Sequence, residues 1–206
     1  MLLLSISAYA TLRAVEKGST SWLVHSGAVV GVAFVTKMLQ VLIAVPVLGA
    51  VYLFFGPPRL ANRVRQLLAA QMAVIVGGGR WVAAVQLTPA ADRPYVGGST
   101  NDSVLNLEFG YNEFGRITGN ETGSVGGATG TASPWGPTGW DRLFRSDMGG
   151  QIRWLTPTAL LLLAAALWVT GKTPRTNPAC ASILFWGGWL LLTGAVFSFA
   201  KGIIHP

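Results

Sequence analysis

Three cations stand where positive charge is expensive. Lys37 interrupts an apolar block from Trp22 to Phe55, Arg80 lies inside a run from about Leu67 to Leu87, and Lys201 follows the run from Ala181 to Ala200. Charges at membrane depth face cavities, partners or the interface. Lys37 and Lys201 therefore each have two readings, a snorkelling anchor or a cation that meets a lipid phosphate. Arg80 lies about seven residues from the outer end of its run, roughly 10 Å deep at helical rise, and either faces a polar cavity or snorkels.

Other motifs carry less chemistry. Ala166 to Thr173 reads AxxxxGKT, but a phosphate loop opens a helix after a strand, and this stretch closes an apolar run. Gly171 reads as a terminator and Lys172 as an interface anchor. Gly77-Gly78-Gly79 suits close helix contact or a bend. Asn101-Asp-Ser and Asn120-Glu-Thr fit a glycosylation triplet, which polar loops often contain by chance. His25 and His205, the two histidines, are far apart, and the single cysteine, Cys180, rules out an internal disulfide. No metal site or resident cofactor is expected, although the sequence leaves a divalent metal need open.

The elements that must position these residues are membrane helices. Only 11% of the 206 residues are charged and 51% are hydrophobic, whereas a soluble domain carries about 25% charged residues. The formal charge of +7 comes from cations at the ends of apolar runs, as in membrane proteins. No basic cluster interleaves with exposed aromatics, so nucleic acid is not an expected partner. A crossing needs about 20 apolar residues, and the block Trp22–Phe55 is too long for one. Divided near Thr36-Lys37, it brings the total to about six transmembrane helices. The turns holding Arg13 and Lys17, then Arg59, Arg63 and Arg65, then Lys172 and Arg175 then share one side, which the positive-inside tendency makes cytoplasmic.

The expected organisation is helices over 1–87, an extracytoplasmic loop over 88–154, and two further helices over 155–206. The loop carries seven of the eight acids. Alternation at Leu105, Leu107 and Phe109 predicts a short strand, and Gly119–Gly139 reads as mobile. Trp140, Leu143, Phe144, Met148 and Ile152 predict an interfacial amphipathic helix, and Trp135, Trp140 and Trp154 suit an aromatic belt. The opening MLLLSISAYATLRAVEKG lacks the basic region of a signal peptide. It reads as the second half of a helix, and with the abrupt end FSFAKGIIHP it suggests a fragment or a truncated reading frame.

Three stretches together are similar to a known family. AYATLRAVEKGSTSWLVHSGAVVGVAFVTKMLQ, RPYVGGSTNDSVLNLEFGYNEFGRITGNETGSVGG and FSFAKGIIHP resemble the protein mannosyltransferase and aminoarabinose-transferase superfamily, glycosyltransferase family 39. The likeness is greatest to its bacterial mannosyltransferase-like branch, and RPYVGGSTNDSVL…FGYN is the most specific block. The resemblance implies an all-α polytopic membrane protein of GT-C-like fold in the plasma membrane. It also implies transfer of a mannose-like sugar from a polyprenyl-phosphate donor to an extracytoplasmic protein or glycan acceptor. The family's catalytic carboxylate lies in an acidic motif that no segment here matches, and Asp92 and Asp102 are not that motif. This chain alone is therefore not expected to catalyse.

By the same resemblance Lys37, Lys201 and His205 line the outer-face site. Arg93, Tyr95, Asn101, Tyr111 and Asn112 are candidates to bind sugar or acceptor, with loop folding as the competing reading because Asn and Gly favour turns. Two rivals stand beside the enzyme: a transporter or channel segment with Lys37 and Arg80 on its path, and a non-catalytic scaffold with a binding loop. Transporters often show internal repeats, and none is visible here.

Overall fold

The computed structural model describes residues 1–97, 99, 102–107, 136–145, 150, 153–174 and 177–201. Among them are six long helices and no strand. The helices are α1 (Leu2–Lys17), α2 (Thr20–Thr36), α3 (Met38–Phe55), α4 (Leu60–Leu87), α5 (Leu155–Thr170) and α6 (Pro178–Phe199). Two of them, α4 and α6, are long and apolar enough by length and composition to cross a membrane. The chain forms two compact units, Met1–Trp81 with Leu161–Leu190, and Val82–Leu160 with Leu191–Pro206.

The first unit is set by its turns. Gly18 ends α1 at φ 61, a left-handed conformation that glycine adopts without a Cβ penalty. The chain reverses there into α2. At Lys37 the backbone leaves the helix, with φ −159 and ψ 80, and α3 starts one residue later. Gly56-Pro57-Pro58 ends α3, because proline lacks the donor that would continue a helix. Arg63 closes this turn by donating to the carbonyls of Pro58 and Leu53.

Small and polar residues hold the helices together. On α1 and α2, the buried hydroxyls of Ser7 and Thr11 each lie 2.8 Å from the Ser26 hydroxyl, which also approaches the Ser7 carbonyl. Such interhelical hydrogen bonds act as glue where hydrocarbon offers no hydrophobic drive. On α2 and α4, glycines bring the backbones into contact. A Cβ at Gly27 would overlap the Ala70 carbonyl, and one at Gly31 would lie 2.7 Å from the Val74 oxygen and 2.9 Å from the Gly77 Cα. Gly77 and Gly78 thus serve close approach. The pairs 27 with 70 and 31 with 74 make α2 and α4 parallel.

Cross-links between turns complete the unit. Tyr52 of α3 donates to Gln66 of α4 at 2.6 Å, and Gln66 donates to the Gly18 carbonyl and the Thr20 hydroxyl. The α1–α2 and α3–α4 turns are thereby clasped at one end. Lys37 and the start of α1 lie at the other end, about 26 Å away along the 17 residues of α2.

Two local expectations are corrected. Val104–Asn106 is a helical turn, not a strand, because the Ser103 hydroxyl accepts the Asn106 N–H and caps it; a side-chain cap outweighs a short alternation. Arg142–Phe144 is a single 3-10 turn, and Arg145 is extended, so the amphipathic helix expected from Trp140 does not form over the described residues. The mobile stretch expected over Gly119–Gly139, the second glycosylation triplet and Trp135 lie outside them almost entirely.

Candidate functional site

Lys37 belongs to the first unit. Its N–H donates to the Ala33 carbonyl at 3.0 Å and its side chain is exposed. It lines a cavity of about 220 Å³ with Leu2, Leu4, Ala33, Thr36 and Val41. No acid lines this cavity, and α3 has none in its first turn, so the helix dipole and the ammonium both favour an anion there. The Thr36 hydroxyl is already engaged, donating to Ala33 at 2.7 Å. Arg80, on α4, is exposed.

In the second unit Arg93 is a helix cap. Its Nε donates to the Thr88 carbonyl and its Nη2 to the Gln86 carbonyl, both at 2.9 Å. These are carbonyls that the end of α4 leaves open. Asp102, at φ 51, accepts the Val96 N–H at 2.9 Å, and Ser103 donates to the Gln86 side chain at 3.1 Å. These bonds fold the segment back on the end of α4, with the Arg93 guanidinium engaged there. Tyr95 is 87% exposed and open to a ligand. Asn101, Tyr111, Asn112 and His205 lie outside the described residues.

Lys201 is exposed just past the end of α6, and a buried arginine holds that end. Arg142, 0% exposed, donates to the Phe197 carbonyl at 3.2 Å and to the Ala200 carbonyl. The Gly139 N–H donates to the Ser198 carbonyl at 3.0 Å. Trp140 meets Phe199 edge to face at 4.7 Å, and Leu143 packs near Gly194. Burial lowers the Arg142 pKa from the usual guanidinium range. Neighbouring Asp141 is held below the usual carboxylate range chiefly by its hydrogen bonds to Arg145. A cation on C-terminal carbonyls also suits the helix dipole.

The amphipathic helix expected from Trp140 would have left Arg142 between its apolar positions, among the polar residues. The turn signal Gly136-Pro137-Thr138-Gly139 argues against a long helix beginning there. Replacing Arg142 by Ala should strand buried carbonyls and cost about 2–4 kcal/mol. Thermal unfolding in detergent should show it, and Lys in place of Arg should restore only part, having one donor centre against the guanidinium fork. An unchanged midpoint for the Ala variant would remove the clamp.

No hydrogen bond or ion pair among the described residues joins Arg93, Tyr95 or Lys201 to one another. No group of three His, Cys, Asp or Glu among them is placed to hold a metal. The AxxxxGKT stretch closes α5, with the Thr173 N–H donating back to Thr170 at 2.9 Å, so it is a helix end.

The comparisons with known proteins agree with the resemblance. Residues 1–78 match the family described as Dolichyl-phosphate-mannose-protein mannosyltransferase. The chain is 27% identical to the protein named "Putative mannosyltransferase YycA" of Bacillus subtilis (strain 168), over 94% of this chain and 39% of that protein. It is 35% identical to "Putative mannosyltransferase YkcB" of the same organism, over 61% of this chain and 18% of that protein. The chain thus spans well under half the length of these relatives. No solved structure matches it significantly. The family match over residues 1–78 and the likeness to these two proteins support the resemblance of this chain to bacterial mannosyltransferases.

Proposed function

We propose that the chain is part of a multi-pass membrane glycosyltransferase that moves a mannose-like sugar from a polyprenyl-phosphate carrier to an extracytoplasmic protein or glycan acceptor. The supporting observation is the position of Lys37, at a helix break beside a cavity without acids, at the end of the first unit opposite its clasped basic turns. In the proposed topology the basic turns face the cytoplasm, Lys37 faces outward, and the long polar segment and Lys201 are assigned to that same side. A phosphate leaving group needs cations that strengthen their hold as charge develops, and Lys37 and Lys201 suit that role.

Tyr95 offers a ring to a sugar, while Asn101, Tyr111, Asn112 and His205 remain candidates from the resemblance. The acceptor's proton requires a general base, and the described residues of this chain supply none in an assigned position. The catalytic carboxylate is therefore proposed to come from beyond this chain. The transporter reading draws on Arg80, whose exposure on α4 fits an anchor equally.

Orientation is tested by labelling. In a Cys180→Ala background, Lys37→Cys should react with a membrane-impermeant maleimide on intact cells, and Arg65→Cys only after the membrane is opened. The reverse pattern would invert the map and remove the sugar chemistry from its compartment.

A further inference from the structure

The clasped turns lie beside an apolar cavity that the proposed sugar transfer does not use. Gly18 packs against Pro57 and Pro58, a Cβ there lying 3.1 and 3.4 Å from their ring carbons. This contact brings together the neighbouring exposed cations Lys17 and Arg59, and Gln66, bonded to Gly18 and Thr20, adds exposed Arg65. Lys17 lies over the Trp22 ring at 5.9 Å. The acid of these turns, Glu16, is taken by Arg13 at 2.6 Å, and the first turn of α4 has none. Arg63 is committed to Pro58 and Leu53.

Just inside these charges is a cavity of about 440 Å³ lined by residues of α1, α2, α3 and α4, including Gly49, Leu53, Val64 and Leu68. Its lining is mainly apolar, with Thr11, Ser26 and Gln71 as the polar members. From the same turn an exposed stripe, Leu60, Val64, Leu68 and Met72, runs along α4 at four-residue spacing. Cations at the mouth and hydrocarbon-compatible walls behind them match one amphipathic ligand.

We propose that this site binds an anionic phospholipid of the leaflet that the basic turns face. Its phosphate would lie among Lys17, Arg59 and Arg65, and an acyl chain in the cavity beside Gly49. Basic pockets between membrane helices on the cytoplasmic side take such headgroups. A free phosphate would use the cations but not the cavity. The inference rests on the membrane-embedded fold, and not on the sugar chemistry.

The test is native mass spectrometry of the chain released from mixed phosphatidylglycerol and phosphatidylcholine micelles. Wild type should retain phosphatidylglycerol preferentially. Lys17→Gln, Arg59→Gln and Arg65→Gln should each lower that preference roughly fivefold. Because these changes also bear on orientation, a second variant keeps every charge. A Cβ at Gly49 meets nothing within 4 Å, so Gly49→Phe should fill the cavity and still fold. It should lose long-chain phosphatidylglycerol while the short-chain form is retained.

Three results would overturn the site: equal retention by the charge variants, unchanged long-chain binding by Gly49→Phe, or stripping of the adduct by inorganic phosphate alone. Selective retention of polyprenyl phosphate would also overturn it by assigning the pocket to the donor. Failure of the labelling test above would leave this lipid preference standing, so the two ideas fail separately.

Discussion

Gly27→Ala should destabilise the first unit by about 3 kcal/mol or more, at the upper end of overpacking costs. In an ordinary exposed helix the same change would stabilise by about 1 kcal/mol, because alanine is the better helix former. Here the added Cβ meets the Ala70 carbonyl oxygen and lies 2.9 Å from its carbon. Both atoms are backbone, so relief requires α2 and α4 to separate, and not a rotamer change.

Gly49→Ala is the internal control, since its Cβ meets open space; it should keep the propensity gain. Circular dichroism of thermal unfolding in detergent separates the two, and a Gly27→Ala protein as stable as wild type would show that the helices do not touch there. Gly31→Leu should be worse still, with the Val74 oxygen and Gly77 Cα both inside 3 Å of the new Cβ.

On the proposed function, Lys201→Ala, made in a full-length parent protein, should reduce sugar transfer by about a hundredfold or more with normal membrane insertion. Lys201 is exposed beyond an α6 end that is already capped by Arg142 and Gly139. Its removal therefore strands no buried group, and a loss of rate reports chemistry and not folding. Arg at this position should recover part of the rate because the charge returns, though not the compact ammonium. Transfer at the wild-type rate in isolated membranes would remove Lys201 from the site. Arg142→Ala separates the two effects from the other side: it should lower the unfolding midpoint first, and transfer only through the helix end it holds.

Much of the fold was legible because hydropathy is a long-range average. The break at Lys37 lies where a single charge divides an apolar block too long for one crossing, and Gly56-Pro57-Pro58 ends α3 through proline's missing donor. Short signals were misleading. Leu105, Leu107 and Phe109 alternate, yet Ser103 caps a helical turn over Val104–Asn106. Residues from Trp140 onward have helical spacing, yet Arg142 turns inward to serve carbonyls 55 and 58 residues away. A local pattern cannot register a partner that distant. Arg93 shows the same limit: its block carries the family likeness, but its guanidinium is occupied by the end of α4.

By itself, then, the sequence determined that the chain is apolar and helical, where most helices stop, which turns carry the positive charge, and which proteins it resembles. These properties belong to runs of residues and survive averaging. Only the tertiary structure decided that Gly27 and Gly31 press on the backbone of α4, that Gln66 clasps two turns, and that Arg142 is buried on the end of α6. Each depends on a contact between distant residues, set by the shape of small side chains and the need of buried polar atoms for partners, neither of which hydropathy encodes.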